Sequence, residues 1–486
     1  MLALPTQQKQ YIGLQYIMDL LDPDSAYGKE KLQKALPYGP KEQEELQRQL
    51  DNIEKTLLAR PRLEREYKRL QLIFTQVRDI RKSILKCQKS VLGEVDLFEI
   101  KRYLLQLTEI TPLFLQINNF ADYSGIAFAD TEEALKLLDP EENRVASFYI
   151  SNRYSAKLTQ IRNHKRAIEE QLRKLPFKEI PADLLAERQQ LALQEEKEEQ
   201  LVREELTRKL KPFAKAMINN AENIGELDLL IQKAAIAHKY GGVKPVISSS
   251  HIYFTNMRHP HIAAILNKEN KPFTPITIRL NKGAAVITGA NMGGKSVALT
   301  TTALNITLIH YGIYPFAEAA ATPLFDYMHI ICGSLESIEH GLSRFGGQVI
   351  RFNEIVQDIN KGFTCVFIDE FAHGTNPREG ASIAAAITEY LNESNAISLL
   401  TTHYDKVAEY ANAHYQMIGL KQLDADKLQK EAEALPNRDK VSYIAHYMNY
   451  NLVLVENKQK PPRDALKICH LLGMPAEILA KIKDEN

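Results

Sequence analysis

The sequence predicts a largely helical first half, then an α/β domain, then a short helical C-terminus. Three observations carry that reading. Before residue 240 glycine is sparse and apolar residues recur at helical spacing among Glu, Lys, Arg and Gln, as in EELQRQLDNIEKTLLARPRLEREYKRLQLIF. Beyond it, short β-branched runs alternate with helical stretches, the pattern of an α/β domain. The last residues give two short helical stretches broken at Gly473-Met474-Pro475. The expected organisation is a helical region 1–240, an α/β domain 241–460 and a C-terminal piece 461–486, with the first boundary at Tyr240-Gly241-Gly242-Val243.

Composition narrows the function classes. A chain of 486 residues has room for roughly three domains. Its 61 Lys and Arg balance 61 Asp and Glu, so no global field draws it to DNA or to a membrane, and any nucleic-acid contact needs a local patch. Cys87, Cys332, Cys365 and Cys469 lie far apart with no C-x-x-C pair, which reads as buried, reduced thiols. The start, MLALPTQQKQ, lacks the basic and continuously apolar regions of a signal peptide, and no stretch is apolar enough to span a bilayer. The expected location is the cytoplasm, with no membrane partner.

Within the helical region, residues 156–217 are dense in charge and read as two arms of an antiparallel coiled-coil hairpin. Ile161, Ile168, Leu172 and Leu175 supply one apolar stripe and Leu191, Leu201, Leu206 and Leu210 the other. The tip is Leu175-Pro176-Phe177-Lys178-Glu179-Ile180-Pro181, because a proline inside either arm costs about 3 kcal/mol. Residues 161–212 hold 12 basic and 11 acidic side chains, which favours a solvated strut or lever over a nucleic-acid grip.

The chemistry is concentrated in the second half. Ala284-Ala285-Val286-Ile287-Thr288 reads as a buried strand running into Gly289-Ala290-Asn291-Met292-Gly293-Gly294-Lys295-Ser296, with a helix following to about His310. This fits the phosphate-binding pattern G-x-x-x-x-G-K-[ST] of a P-loop NTPase. Glycines let backbone N–H groups turn inward around phosphates, and the helix adds the positive end of its dipole. Lys295 can reach the β- and γ-phosphates, and Ser296 can bind Mg²⁺. The bland alternative is a chance match in a glycine-containing turn. Against it stands a second strand, Thr364-Cys365-Val366-Phe367-Ile368, which delivers Asp369 and Glu370 at its end. Asp369 is expected to hold Mg²⁺ through water and Glu370 to orient or deprotonate the attacking water. A third strand, Ala396–Thr402, ends at His403, which is either a surface residue or a sensor of the γ-phosphate. No guanine-specific N-K-x-D loop is seen, since Asn267-Lys268-Glu269-Asn270 does not end in Asp, so ATP is the expected nucleotide.

Taken together, GANMGGKS, CVFIDEFAHGTNPREG, LLTTHYDKVAEYA and the upstream Arg258-His259-Pro260 resemble the ATPase domain of the MutS family, from about residue 250 to the C-terminus. The helical region more weakly resembles that family's core and lever. The resemblance implies an ABC-type ATPase with two composite sites in a homodimer, or in a heterodimer with a related subunit. Gly289 to Val297 would cradle ATP, and Ser343, in Gly341-Leu342-Ser343-Arg344-Phe345, would approach the nucleotide of the partner. Gly374-Thr375 would lie in the loop crossing the dimer interface, and Phe273 would stack on adenine or simply pack in the core. The C-terminal piece resembles the family's dimerising helix-turn-helix.

Several features depart from the family pattern. Ala290 replaces the usual Pro and Val297 the usual Thr, neither removing a phosphate donor. Gln348 and Arg351 stand where repair proteins tend to carry acids. The sequence shows no mismatch-recognition domain, connector domain, clamp-sized insertion or nuclease module. Two client readings follow. The family default is mismatched or branched DNA. The rival is a protein client, as for the MutS-related reactivating factors of adenosylcobalamin-dependent lysine or ornithine aminomutases, which the neutral arms favour.

Overall fold

A computed structural model describes residues 2–176, 181–290, 293–332, 344–373, 375–420, 448–455, 469 and 474–479. The contacts group the chain differently from a linear cut at residue 240. One compact unit comprises Met1–Leu21, Ala35–Glu54 and Lys233–Asn486, and the other Asp22–Lys34 and Lys55–Gln232.

The second unit is helical among its described residues. The long charged stretch read as helix is two helices, Gln43–Ala59, whose residues up to Glu54 belong to the first unit, and Glu64–Phe74, interrupted at the turn that holds Pro61. Asp228 is fully buried and accepts from the Ser25 amide at 2.7 Å, the Ser25 hydroxyl at 2.6 Å and the Asp24 amide at 3.1 Å. Desolvation outweighs those donors and pushes its carboxyl up to about 6. Helices Ala156–Lys174 and Ala182–Leu210 pack side by side around Ile161, Ile168 and Leu191, with Leu172 and Leu184 against them. Their charges pair across the contact: Arg162 reaches Glu195 and Glu199 at 2.8 and 2.7 Å, and Arg188 reaches Glu169 at 3.1 Å. These partners run in opposite directions along the two helices. Leu201 departs from the expected stripe: it is 47% exposed, because the apolar face of the second arm is narrower than its leucine spacing suggests. The tip residues 177–180 lie outside the described residues.

Helix Ala214–Tyr240 stops where glycine permits it. Gly241 has φ +66°, and the Gly242 amide reaches back to the Ala237 carbonyl at 2.7 Å, the Schellman pattern of a helix end.

The first unit holds ten described strands: β1 (Val246–Ile247), β2 (His251–Met257), β3 (Ile276–Asn281), β4 (Gly283–Thr288), β5 (Ala319–Thr322), β6 (Tyr327–Cys332), β7 (Thr364–Asp369), β8 (Ala396–Thr401), β9 (Ala413–Gly419) and β10 (Asn449–Leu454). Strands β1, β5, β2 and β3 form a small sheet. The main sheet has the order β10-β9-β4-β8-β7-β6, parallel except for the antiparallel edge strand β10. Strands β4 and β8 are buried at every position, as expected of unbroken apolar runs covered on both faces. By contrast β3 alternates buried and exposed residues, the mark of a half-covered sheet.

Helix Lys295–His310 is buried almost throughout despite its threonines. Thr300, Thr301, Thr302 and Thr307 each return the hydroxyl proton to the carbonyl four residues earlier, at 2.6–2.8 Å, so no hydroxyl enters the core unpaired. The thiols of Cys87, Cys332 and Cys365 are buried as expected, whereas Cys469 is half-exposed. Among the described residues no helix is long and apolar enough to cross a membrane.

Buried imidazoles, His259 and His310 among them, make this unit acid-sensitive. His259 donates from Nε2 to the Ile12 carbonyl at 3.1 Å, and Gly13 fits above it only because a Cβ there would lie 2.4 Å from the ring. His310 donates from Nδ1 to the Tyr38 carbonyl at 2.7 Å, while its Nε2 is buried without a partner. Burial pushes both down to about 4. The unfolded chain therefore takes up protons below about pH 6.5 that the folded chain refuses until about pH 4, so stability falls as pH drops through that window. Each imidazole should cost about 2 kcal/mol between pH 7 and 5. Urea unfolding at both pH values should show the wild-type loss reduced by about that amount in His310→Asn, which keeps a donor but cannot titrate. An unchanged pH difference in the variant would refute the assignment.

Candidate functional site

The site forms where parallel strands end together. Because β8 lies between β4 and β7, the pairing register aligns Ile287 with Thr401 and Thr401 with Asp369. The phosphate loop, the two acids and the His403 turn thus emerge from one edge of the sheet, where open α/β sheets bind ligands.

At that edge the predicted residues meet. The Ser296 hydroxyl donates to Asp369 Oδ1 at 3.0 Å, and the Thr401 hydroxyl donates to the same oxygen at 2.5 Å. Lys295 is 4% exposed; its Nζ donates to the carbonyls of Gly289 at 3.0 Å and Ala290 at 3.3 Å and lies 3.5 Å from Glu370 Oε1. Burial pushes its ammonium down, opposed by the nearby Glu370.

Glycine is required in the loop. Gly289 and Gly294 have φ of +142° and +90°, and a Cβ on Gly289 or Gly293 would fall 2.9 Å from Met417 Cβ or 2.8 Å from the Ala290 carbonyl. Glu370 itself stands at φ +51° and Ala372 at +61°, left-handed conformations that bulky residues seldom adopt. The Glu370 amide is held there by the Thr401 carbonyl at 3.2 Å and the Thr401 hydroxyl at 3.1 Å. Strain of this kind collects at functional sites. The Gln348 side chain, buried on helix Arg344–Ile359, accepts from the Ala372 amide at 3.0 Å and fixes the loop that follows the acids.

Beside the loop lies a pocket of about 690 Å³. The loop residues Gly293, Gly294, Lys295 and Ser296 line it together with Glu370, and so do the apolar or aromatic side chains of Ile262, Leu266, Phe273, Met417 and Tyr450. Phe273 therefore faces the same pocket as Lys295 rather than a closed core. His403 is exposed, with its ring 5.2 Å from that of His373; Glu370, His373 and His403 each bring one ligand atom within 4.8 Å of the others. Asn291, Met292, Ser343 and Gly374 lie outside the described residues, as does most of the C-terminal segment, including 461–468 and 480–486.

Several site residues escaped sequence reasoning. Thr401 sits in the quoted strand, but only its register against Asp369 shows its role. Tyr450 and Met417 come from strands that join the pocket through sheet order. Tyr11 donates to Asp369 Oδ2 at 2.6 Å across 358 residues, with no local signal at all.

The donor set suits a hard divalent cation and a phosphate chain. Ser296, Asp369 and Glu370 supply oxygen donors of the kind Mg²⁺ prefers, and the glycine cradle leaves room that any side chain would fill. Residues 285–482 match MutS domain V. The chain is 32% identical over 233 residues to "Endonuclease MutS2" of Caldanaerobacter subterraneus subsp. tengcongensis, covering 47% of this chain and 29% of that protein. It is 28% identical over 288 residues to the protein of the same name from Ligilactobacillus salivarius, covering 58% and 36%. It is also 34% identical over 194 residues to "DNA mismatch repair protein MutS" of Natronomonas pharaonis, covering 39% and 22%. The matches span between 22% and 36% of the length of these relatives. The glycine-rich loop, the paired acids and the strand between them all fall inside the matched region, so this part of the chain is similar to MutS domain V, the ATPase domain of the MutS family.

Proposed function

We propose that the protein is a Mg²⁺-dependent ATPase that works as a dimer and couples ATP binding and hydrolysis to movement of its helical region. The observation that carries the hydrolytic reading is the 3.0 Å bond between Ser296 and Asp369, which joins the glycine-rich loop to the acid-bearing strand beside a pocket that Phe273 and Tyr450 also line. Adenine suits the face offered by Phe273 and Tyr450, and the triphosphate suits the loop, with Lys295 available to its outer phosphates. Ser296 and Asp369 would hold the metal, whose bound state supplies charge neutralisation at the phosphates. Glu370, whose amide donates to the Thr401 carbonyl and hydroxyl, would take a proton from water, and His403 would donate a hydrogen bond to the terminal phosphate. Ser343 would complete the site of a second copy, which makes turnover a property of the dimer.

The name of one relative, "DNA mismatch repair protein MutS", supports mismatched DNA as the client, with branched DNA as the other DNA reading. A protein client is favoured by one observation: the arm charges pair with one another, as in Arg162 with Glu195 and Glu199, instead of lining a basic stripe. Titration with homoduplex, mismatched and branched DNA at two salt concentrations separates these readings. A DNA client requires tighter binding to one structure and a steep loss of affinity with salt, about tenfold per few phosphate contacts between 50 and 200 mM. Equal, weak and salt-insensitive binding would leave the protein client.

A further inference from the structure

We propose that Tyr11 is a positioning residue for the metal-binding carboxylate: its hydroxyl fixes the plane of Asp369 and thereby sets the Mg²⁺ affinity of the nucleotide site. This inference rests on the ATPase reading above.

A carboxylate has about four lone-pair sites. Asp369 Oδ1 accepts from Ser296 and Thr401, and Oδ2 accepts from Tyr11 at 2.6 Å. The two Oδ1 donors anchor one oxygen of the carboxylate, and Tyr11 anchors the other, so both ends of the group are held and a lone-pair site on Oδ2 remains for a metal-bound water. Groups that orient a metal-holding carboxylate in this way typically govern affinity by about 10–100-fold.

The segment that carries Tyr11 is anchored on both sides of it. Tyr11 ends helix Thr6–Tyr11, where Gln8 donates to the Ile330 carbonyl at 3.0 Å on β6, the strand paired with β7. The next residue, Ile12, gives its carbonyl to buried His259. Both anchors belong to the same compact unit as Asp369.

The test is Tyr11→Phe, which keeps the ring. Binding of a fluorescent ATP analogue is titrated without divalent ion and then against Mg²⁺ at fixed nucleotide, with thermal melting in EDTA as a folding control. The expected result is a half-saturating Mg²⁺ concentration raised about tenfold, with metal-free nucleotide affinity and EDTA melting unchanged. Gln8→Met, which loosens the helix without touching Asp369, should leave the Mg²⁺ curve in place. An unshifted curve for Tyr11→Phe, or equal shifts in both variants, would overturn the proposal. If the wild-type protein binds the analogue with no response to Mg²⁺, the ATPase reading fails first, and that outcome is distinct from a shift missing only in the variant.

Discussion

Glu370→Gln should slow ATP turnover by roughly a hundred- to ten-thousand-fold while nucleotide still binds, because a positioned general base contributes about that much. The substitution keeps the size of the side chain and removes the proton acceptor. It also removes the negative charge 3.5 Å from the Lys295 ammonium, but Lys295 keeps the Gly289 and Ala290 carbonyls, so the loop retains its shape. The backbone bonds from Thr401 to the Glu370 amide do not involve the side chain and should hold the left-handed turn intact. Since binding survives and hydrolysis does not, ATP-bound dimer should accumulate. Single-turnover hydrolysis and sedimentation with ATP and Mg²⁺ measure the two effects, and full turnover by the variant would show that another group is the base.

Lys295→Ala should act on binding instead. The ammonium is buried, and burial already disfavours its charge, so a polyphosphate in the loop offers it a far better partner than the two carbonyls it now holds. A hydrogen bond to a charged group contributes about 1.5–3 kcal/mol, and a lysine that spans two phosphates makes more than one, so affinity should fall by at least about a hundredfold. Titration of a fluorescent ATP analogue reads this directly. Affinity within a few fold of the wild type would place the phosphates elsewhere.

How much of the site could be read in advance depended on how local each contribution is. The run from β4 into Gly289–Ser296 announces itself because the loop needs glycine at successive positions and a helix directly after. Asp369 and Glu370 are visible because a buried strand that ends in two acids is unusual in any sequence. Phe273 left two readings open, and only the pocket it shares with Lys295 favours one of them. The exposure of Leu201 shows the converse, a helical spacing that promised burial which the neighbouring helix does not supply.

By itself the sequence determined the glycine-rich loop between strand and helix, the acid pair at a strand end and the helical character of the first half, since each rests on residues close together in the chain. Tertiary structure alone decided that Thr401 and Tyr11 bond to Asp369, that Tyr450 and Met417 close the pocket, and that the first 21 residues belong with the nucleotide-binding unit. The physical reason is that a hydrogen bond about 3 Å long carries no record of the hundreds of residues between its partners; strand order and register bring them together, and neither is written in any local pattern.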